Sequence, residues 1–132
     1  MDKLIMKKLL EEMFDDEFVF LPGFYDDFEE LTKNSGNAER ITQLLLTKLY
    51  AILELGDCDC GLKWLERLKH CDNLYSLHLK TKNENYRLLL SKGDDSKIFL
   101  HMFFEKSGKG NTSYSDHIPI AIKRRENYLK GL

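Results

Sequence analysis

Between Leu74 and Phe104 the spacing of apolar residues shifts from helical to alternating, and this limits the fold more than any other feature of the chain. Tyr75, Leu77 and Leu79 alternate with Ser76, His78 and Lys80, the period of two expected of a strand with one buried face. Tyr86 to Ser91 gives a second strand after the polar loop Thr81 to Asn85, and Ile98 to Phe104 a third after the tight turn Gly93-Asp94-Asp95. The third run is apolar on both faces, which predicts an inner strand. Tight turns join only antiparallel neighbours, so this stretch reads as a three-stranded meander.

Upstream the period is helical. Met6, Leu9, Leu10 and Met13 recur among Lys7, Lys8, Glu11 and Glu12, predicting an extra N-terminal amphipathic helix within about residues 1–16. Phe18 to Leu21 is a short run of β-formers, apolar on both sides and ended by Pro22-Gly23. Phe24, Phe28 and Leu31 mark a short helix whose other face carries Asp26, Asp27, Glu29 and Glu30, broken at Asn34-Ser35-Gly36-Asn37. Ile41, Leu44, Leu45, Leu49, Ile52 and Leu53 form a longer stripe, with Asn37 placed to cap it and Gly56 to stop it. Leu62, Trp64, Leu65 and Leu68 fit a short helical turn. Ser107 to Ser113 reads as a mobile loop. Ile118, Ala121, Ile122, Arg125 and Leu129 form a final helix, with Asp116 as cap and Pro119 in its first turn. The predicted fold is a single α+β domain over residues 1–132: a small twisted, mainly antiparallel sheet of the N-terminal strand plus the meander, with helices packed on it.

Charge divides along the same line. Residues 1–61 hold 6 Lys and Arg against 14 Asp and Glu, whereas residues 62–132 hold 14 against 8. The total of −2 conceals this, and a ligand meets the local field rather than the average, so the basic half is a candidate polyanion surface. No apolar run reaches the roughly 18 residues needed to span a bilayer, and Met1 to Met13 lacks a long apolar block and a small-residue cleavage site. A cytoplasmic protein with no membrane partner is expected. Three cysteines fit reduced thiols better than a disulfide framework. Cys58-Asp59-Cys60, with His70 and Cys71 nearby, lacks a second ligand pair at an established zinc spacing, so no metal and no other cofactor is expected.

The chemistry concentrates on the meander. If Thr81 to Tyr86 closes its hairpin symmetrically, Lys80 faces Arg87 across the two strands, and two opposed cations repel unless an anion lies between them. A phosphodiester suits that place. Lys82, Lys106, Lys109, His78 and His101 can join the same surface, and Tyr114 is free to stack on a base. Against this stand two other readings: the cations pair with Glu84 and Glu105, or the strand histidines simply pack.

The ordered set Leu68, Leu74-Tyr75-x-Leu77, Tyr86-Arg87-Leu88-Leu89, Leu100-His101-x-Phe103-x-x-Lys106-Ser107-x-Lys109 and Ile118-x-x-Ala121-x-x-Arg124 resembles the phage-derived, HigB-like branch of the RelE/ParE toxin superfamily. The resemblance spans about Leu62 to Tyr128. It implies a small twisted sheet with helices on one side, a translation-inhibiting endoribonuclease that acts on mRNA in the ribosome, and a helix-turn-helix antitoxin as partner. The chain departs from the family pattern in two places. Ser76 and His78 stand where Leu-x-Glu-Leu-Arg is common, and Glu105 replaces the first lysine of a Lys-Lys pair.

RNA supplies its own nucleophile in the ribose 2′-hydroxyl, so a protein need only orient the strand and stabilise the charge growing on phosphorus. In that scheme Arg87 grips the scissile phosphate, Lys80 and Lys106 neutralise neighbouring charge, and His78 or a lysine of lowered pKa moves the proton. Lys82, Lys109, Tyr114 and His101 hold the RNA. The competing class is a non-catalytic interaction protein that binds a protein partner such as gyrase, as the ParE branch does.

Overall fold

The inner strands carry apolar residues on both faces, so the sheet has to be covered twice, and the helices divide accordingly. The computed structural model describes residues 3–14, 16–33, 35–55, 62–93, 96–105 and 110–131. In chain order these form α1 (Lys3–Phe14), β1 (Phe18–Phe20), α2 (Pro22–Thr32), α3 (Ala38–Leu55), β2 (Leu65–Arg67), β3 (Leu74–Lys80), β4 (Asn85–Lys92), β5 (Lys97–Phe104) and α4 (Gly110–Leu129). The five strands lie in the order β1-β5-β4-β3-β2. β1 runs parallel to β5, and every other pair is antiparallel. The fold is therefore α+β with a mixed five-stranded sheet.

One core lies between the sheet and the first three helices. It joins Met6, Leu10 and Phe14 of α1, Phe24 and Phe28 of α2 and the Ile41, Leu45, Leu49, Ile52 stripe of α3 to Leu77, Leu79, Tyr86, Leu88, Leu90, Phe99 and Met102. Fully burying one such side chain contributes about 1.5–3 kcal/mol, so α1 is held to the body of the protein by its packed face. The second core, under α4, joins Leu74, Leu89, Leu100, Phe103 and Ala121. Helices thus cover both faces, not the single side that the family resemblance implies.

Several local expectations change. Leu65 to Arg67 is an edge strand paired with Tyr75 to Leu77, not a helical turn. β3 is buried on both faces along most of its length, because α4 covers the side bearing Ser76. Pro22 opens α2, where its missing N–H costs nothing, and β1 carries on to the Leu21 N–H, which donates to Phe99 O at 3.1 Å. α4 begins at Gly110, so Asp116 and Pro119 lie inside the helix and not at its start. Asn37 starts α3 by accepting the Ile41 N–H at 2.9 Å, while its side-chain amide donates to Glu84 at 2.6 Å. Gly56, the segment Asp57 to Gly61 with Cys58 and Cys60, the pair Asp94-Asp95, and Lys106 to Lys109 lie outside the described residues.

β1 is only three residues long, so the outer edge of β5 beyond Phe99 lacks a strand partner. α2 covers it instead. Leu21 ends the pairing, the chain turns into α2, and Asp27 accepts the Met102 N–H of β5 at 3.0 Å. A carboxylate satisfies an edge amide that would otherwise be buried unpaired.

Candidate acid–base site on the helix-covered face

Polar side chains gather on the sheet face beneath the N-terminal half of α4. The turn that joins β3 to β4 sets their positions. Thr81 N–H donates to Glu84 O at 2.8 Å and closes a four-residue turn, which pairs Lys80 with Asn85 and His78 with Arg87. The expected Lys80–Arg87 opposition is therefore two residues out of register. An imidazole, not an ammonium, faces the guanidinium, which removes most of the like-charge cost.

Around that pair lie Glu66 of β2, Ser76 of β3, Glu105 just past β5, and Tyr114 of α4. His78 Nε2 is 3.1 Å from Glu66 Oε1. Tyr114 donates to the same carboxylate oxygen at 3.3 Å and lies 2.8 Å from Ser76 Oγ, so the serine hydroxyl donates to the phenol. Burial, reinforced by the Arg87 charge, pulls His78 below the usual imidazole range and outweighs the opposing pull of Glu66. His78 is consequently neutral at pH 7. Its Nε2–H donates to Glu66, which leaves Nδ1 as a base. Burial pushes the Tyr114 hydroxyl up.

Arg87 is closed in. Its guanidinium makes an ion pair with Glu105, both side chains being little more than a tenth exposed, and Nη1 donates to Asn85 Oδ1 at 2.5 Å. Among the described residues its Nε has no hydrogen-bond partner. Arg87, expected to grip the scissile phosphate, is instead neutralised by Glu105, in line with the alternative reading that the cations pair with nearby acids. Lys80 and Lys82 are exposed and line a cleft of about 270 Å³ together with Glu84 and Glu105. Lys106 and Lys109, expected to add charge here, fall outside the described residues.

A second polar cluster lies on the other side of Phe103. His101 is only 5% exposed, so the expected contact with RNA is replaced by internal bonds. Its Nδ1 is 2.6 Å from Asp27 Oδ2, and its Nε2 is 2.6 Å from Nδ1 of His117 on α4. Arg124 donates to Asp27 Oδ2 at 2.7 Å and to the Leu100 carbonyl at 3.0 Å. Burial works against the Asp27 carboxylate, but hydrogen bonds from His101, Arg124 and the Met102 N–H hold it below the usual carboxylate range. Burial, with His101 adding to it, lowers His117. The Phe103 ring joins the clusters, stacking on His117 at 4.2 Å and meeting Tyr114 edge-on at 5.4 Å. Tyr114 is thus engaged by Phe103, Ser76 and Glu66, and is not free to stack on a base.

Sequence reasoning missed Glu66, Asp27 and His117. Among the described residues, no group of three or more His, Cys, Asp or Glu side chains is placed to hold a metal ion, and no helix is long and apolar enough to cross a membrane. Comparison with protein-family models, with curated proteins and with solved structures gives no match, so the likeness to RelE/ParE toxins rests on the residues of this chain alone.

Proposed function

We propose that the protein is a translation-inhibiting endoribonuclease of the cytoplasm, the toxin of a pair restrained by a helix-turn-helix antitoxin. One observation supports the chemistry: Glu66, His78 and Tyr114, contributed by β2, β3 and α4, meet in one hydrogen-bonded centre, with Arg87 of β4 opposite His78 and the two exposed lysines of the hairpin beside it. In this reading Lys80 and Lys82 hold phosphates of the RNA strand. His78 Nδ1 takes the proton of a ribose 2′-hydroxyl while Glu66 steadies the ring and the imidazolium that forms. The 2′-oxygen bonds to phosphorus, the bond from phosphorus to the 5′-oxygen breaks, and water returns a proton to that oxygen. The products are a 2′,3′-cyclic phosphate and a 5′-hydroxyl.

The test is incubation of purified protein with single-stranded RNA in chelator, followed by analysis of the ends. Cyclic phosphate ends are expected, with a loss of about 10²–10⁴-fold in rate for His78→Ala. Undiminished cutting by that variant would remove His78 from the mechanism. A second reading is favoured by the Arg87–Glu105 pair, which withdraws the central cation from any phosphate and suits a non-catalytic surface for a protein partner. Induction in growing cells separates the two: an RNA cleaver halts protein synthesis first, whereas a gyrase binder halts DNA replication first.

A further inference from the structure

We propose that the N-terminal half of α4 is a proton-operated lid over the Glu66–His78 centre, latched by the His101–His117 imidazole pair and hinged at Pro119. Three observations carry it. Tyr114 and His117 are one helical turn apart, and both point onto the sheet, so a single rigid segment sits over both polar clusters. Pro119, inside the helix, has no N–H to give to the preceding turn, and its ring crowds that turn. Beyond it the C-terminal half has further ties: Ala121 is fully buried, Arg125 donates to the Asp72 carbonyl at 2.7 Å, and Arg124 donates to the Leu100 carbonyl and to Asp27, the carboxylate that also holds His101.

The latch counts protons. Two ring nitrogens 2.6 Å apart need one N–H and one lone pair between them. With both imidazoles neutral, His101 donates from Nδ1 to Asp27, and its Nε2 accepts the Nδ1–H of His117. One added proton is tolerated at the outer Nε2 of His117. A second proton sets two N–H groups against each other and breaks the bond. The groups facing this pair are Asp27 from α2, and Asp116 and Arg124 from α4; the two acids favour a proton on His117, but burial and His101 outweigh them and hold it below the usual imidazole range. Undocked, His117 leaves that burial and takes its proton near the ordinary imidazole value of about 6.5. Opening therefore takes up about one proton, and the open population grows by up to about tenfold per pH unit on acidification below about pH 6. Opening withdraws Tyr114 from Ser76 and Glu66 and exposes the His78 centre. The lid stands or falls without regard to whether that centre cuts RNA.

Amide hydrogen exchange of the full chain tests this, with rates corrected for the intrinsic pH dependence. Protection at residues 115–118 should fall about fivefold between pH 6.5 and 5.5, while residues 123–129 keep theirs. His117→Asn retains a side-chain amide for His101 but cannot take a proton, and should flatten that profile; His78→Asn should leave it intact. Simultaneous loss of protection in both halves of α4, or an unaltered profile in His117→Asn, would overturn the proposal. The comparison of the two halves in the unmodified protein decides the matter even where a variant fails to fold.

Discussion

Asp27→Asn is the sharpest probe of how the two layers of helices are joined, because one carboxylate serves β5, α4 and the buried imidazole at once. Asparagine keeps the shape and one acceptor oxygen, so the Met102 N–H and one Arg124 N–H stay satisfied. That oxygen, in the place of Oδ2, also keeps its bond to His101 Nδ1, and Nδ2 takes the place of Oδ1, 3.5 Å from Arg124 Nη2. The net loss is the negative charge facing Arg124. Removing one partner of a buried pair costs about 3–5 kcal/mol, and the Arg124 side chain is 28% exposed, so the lower end of that range, about 3 kcal/mol, applies. At about 1–3 kcal/mol per M of urea, the midpoint of unfolding should drop by the order of 1–3 M. The pH dependence carries the signature. The Asp27 pKa is depressed in the folded state, so its contribution is fully present above the unfolded value near 3.9 and disappears as pH falls through the folded value. The gap between wild type and variant should therefore close below pH 4. A variant within about 0.5 kcal/mol of wild type at pH 7, or a gap unchanged in acid, would refute the assignment of Asp27 as the charged tie.

Other perturbations follow the same logic. Glu105→Ala should destabilise by about 3–5 kcal/mol by leaving Arg87 buried and unpaired, whereas Glu105→Gln keeps an acceptor and should cost about half as much in urea unfolding. If the hairpin binds RNA, Glu105→Gln should also steepen the fall of log affinity with log salt by roughly 0.7 as one cation is released; an unchanged slope would mean that Arg87 does not reach phosphate. Gly23→Ala places a methyl group 2.6 Å from the Arg124 guanidinium carbon, so it should cost about 1–3 kcal/mol and add little to Arg124→Ala; full additivity in the double-mutant cycle would sink that reading. Gly36→Ala, at φ +72°, should lose about 1 kcal/mol through the left-handed backbone alone. His78 and His117 are both lowered in the folded protein, so the unfolded chain takes protons first and stability should decline as pH drops below about 6.5; a flat urea midpoint between pH 7 and 5 would contradict this.

The helices α1, α2 and α3 were legible because one 3.6-residue stripe of apolar side chains decides each of them, and those stripes supply the first core, with Phe14 buried on α1 and Met13 exposed. β2 and the start of α4 were not, for opposite reasons. Leu65 to Arg67 is a strand through its ladder to β3, a partner ten residues away that local spacing does not register. Gly110 to Ser113 has the composition of a loop, and the helix over it is continuous with a segment anchored by Tyr114, His117 and Ala121. Tertiary packing overrode propensity there. The hairpin error was one of counting: a loop assumed to run from Thr81 to Tyr86 shifts the pairing by two residues, and the true turn ends at Glu84.

The missed residues of the site had a signal, one that charge counting disguises. Asp27 was read with Asp26, Glu29 and Glu30 as one solvated acidic face, yet it stands three residues from Phe24 and borders the buried stripe of α2, where a carboxylate has to find partners. On α4 the positions 114, 117, 121 and 124 share one face, so the helix turns a phenol, an imidazole and a guanidinium toward a sheet that presents Ser76, His78 and His101. Polar groups that recur on the buried stripe of a helix, opposite polar groups on the inner face of a strand, imply a network that must be satisfied as a whole. Total charge over the basic half could not distinguish this from a binding surface, because Arg87 and Arg124 count there as positive although Glu105 and Asp27 neutralise them within the fold. Ion pairing across long sequence distances sets the electrostatics of this face, and of the cations expected to bind RNA from the hairpin, Lys80 and Lys82 stay exposed. Any polyanion that binds here must therefore be recognised at the hairpin, with the buried pairs holding the centre's shape.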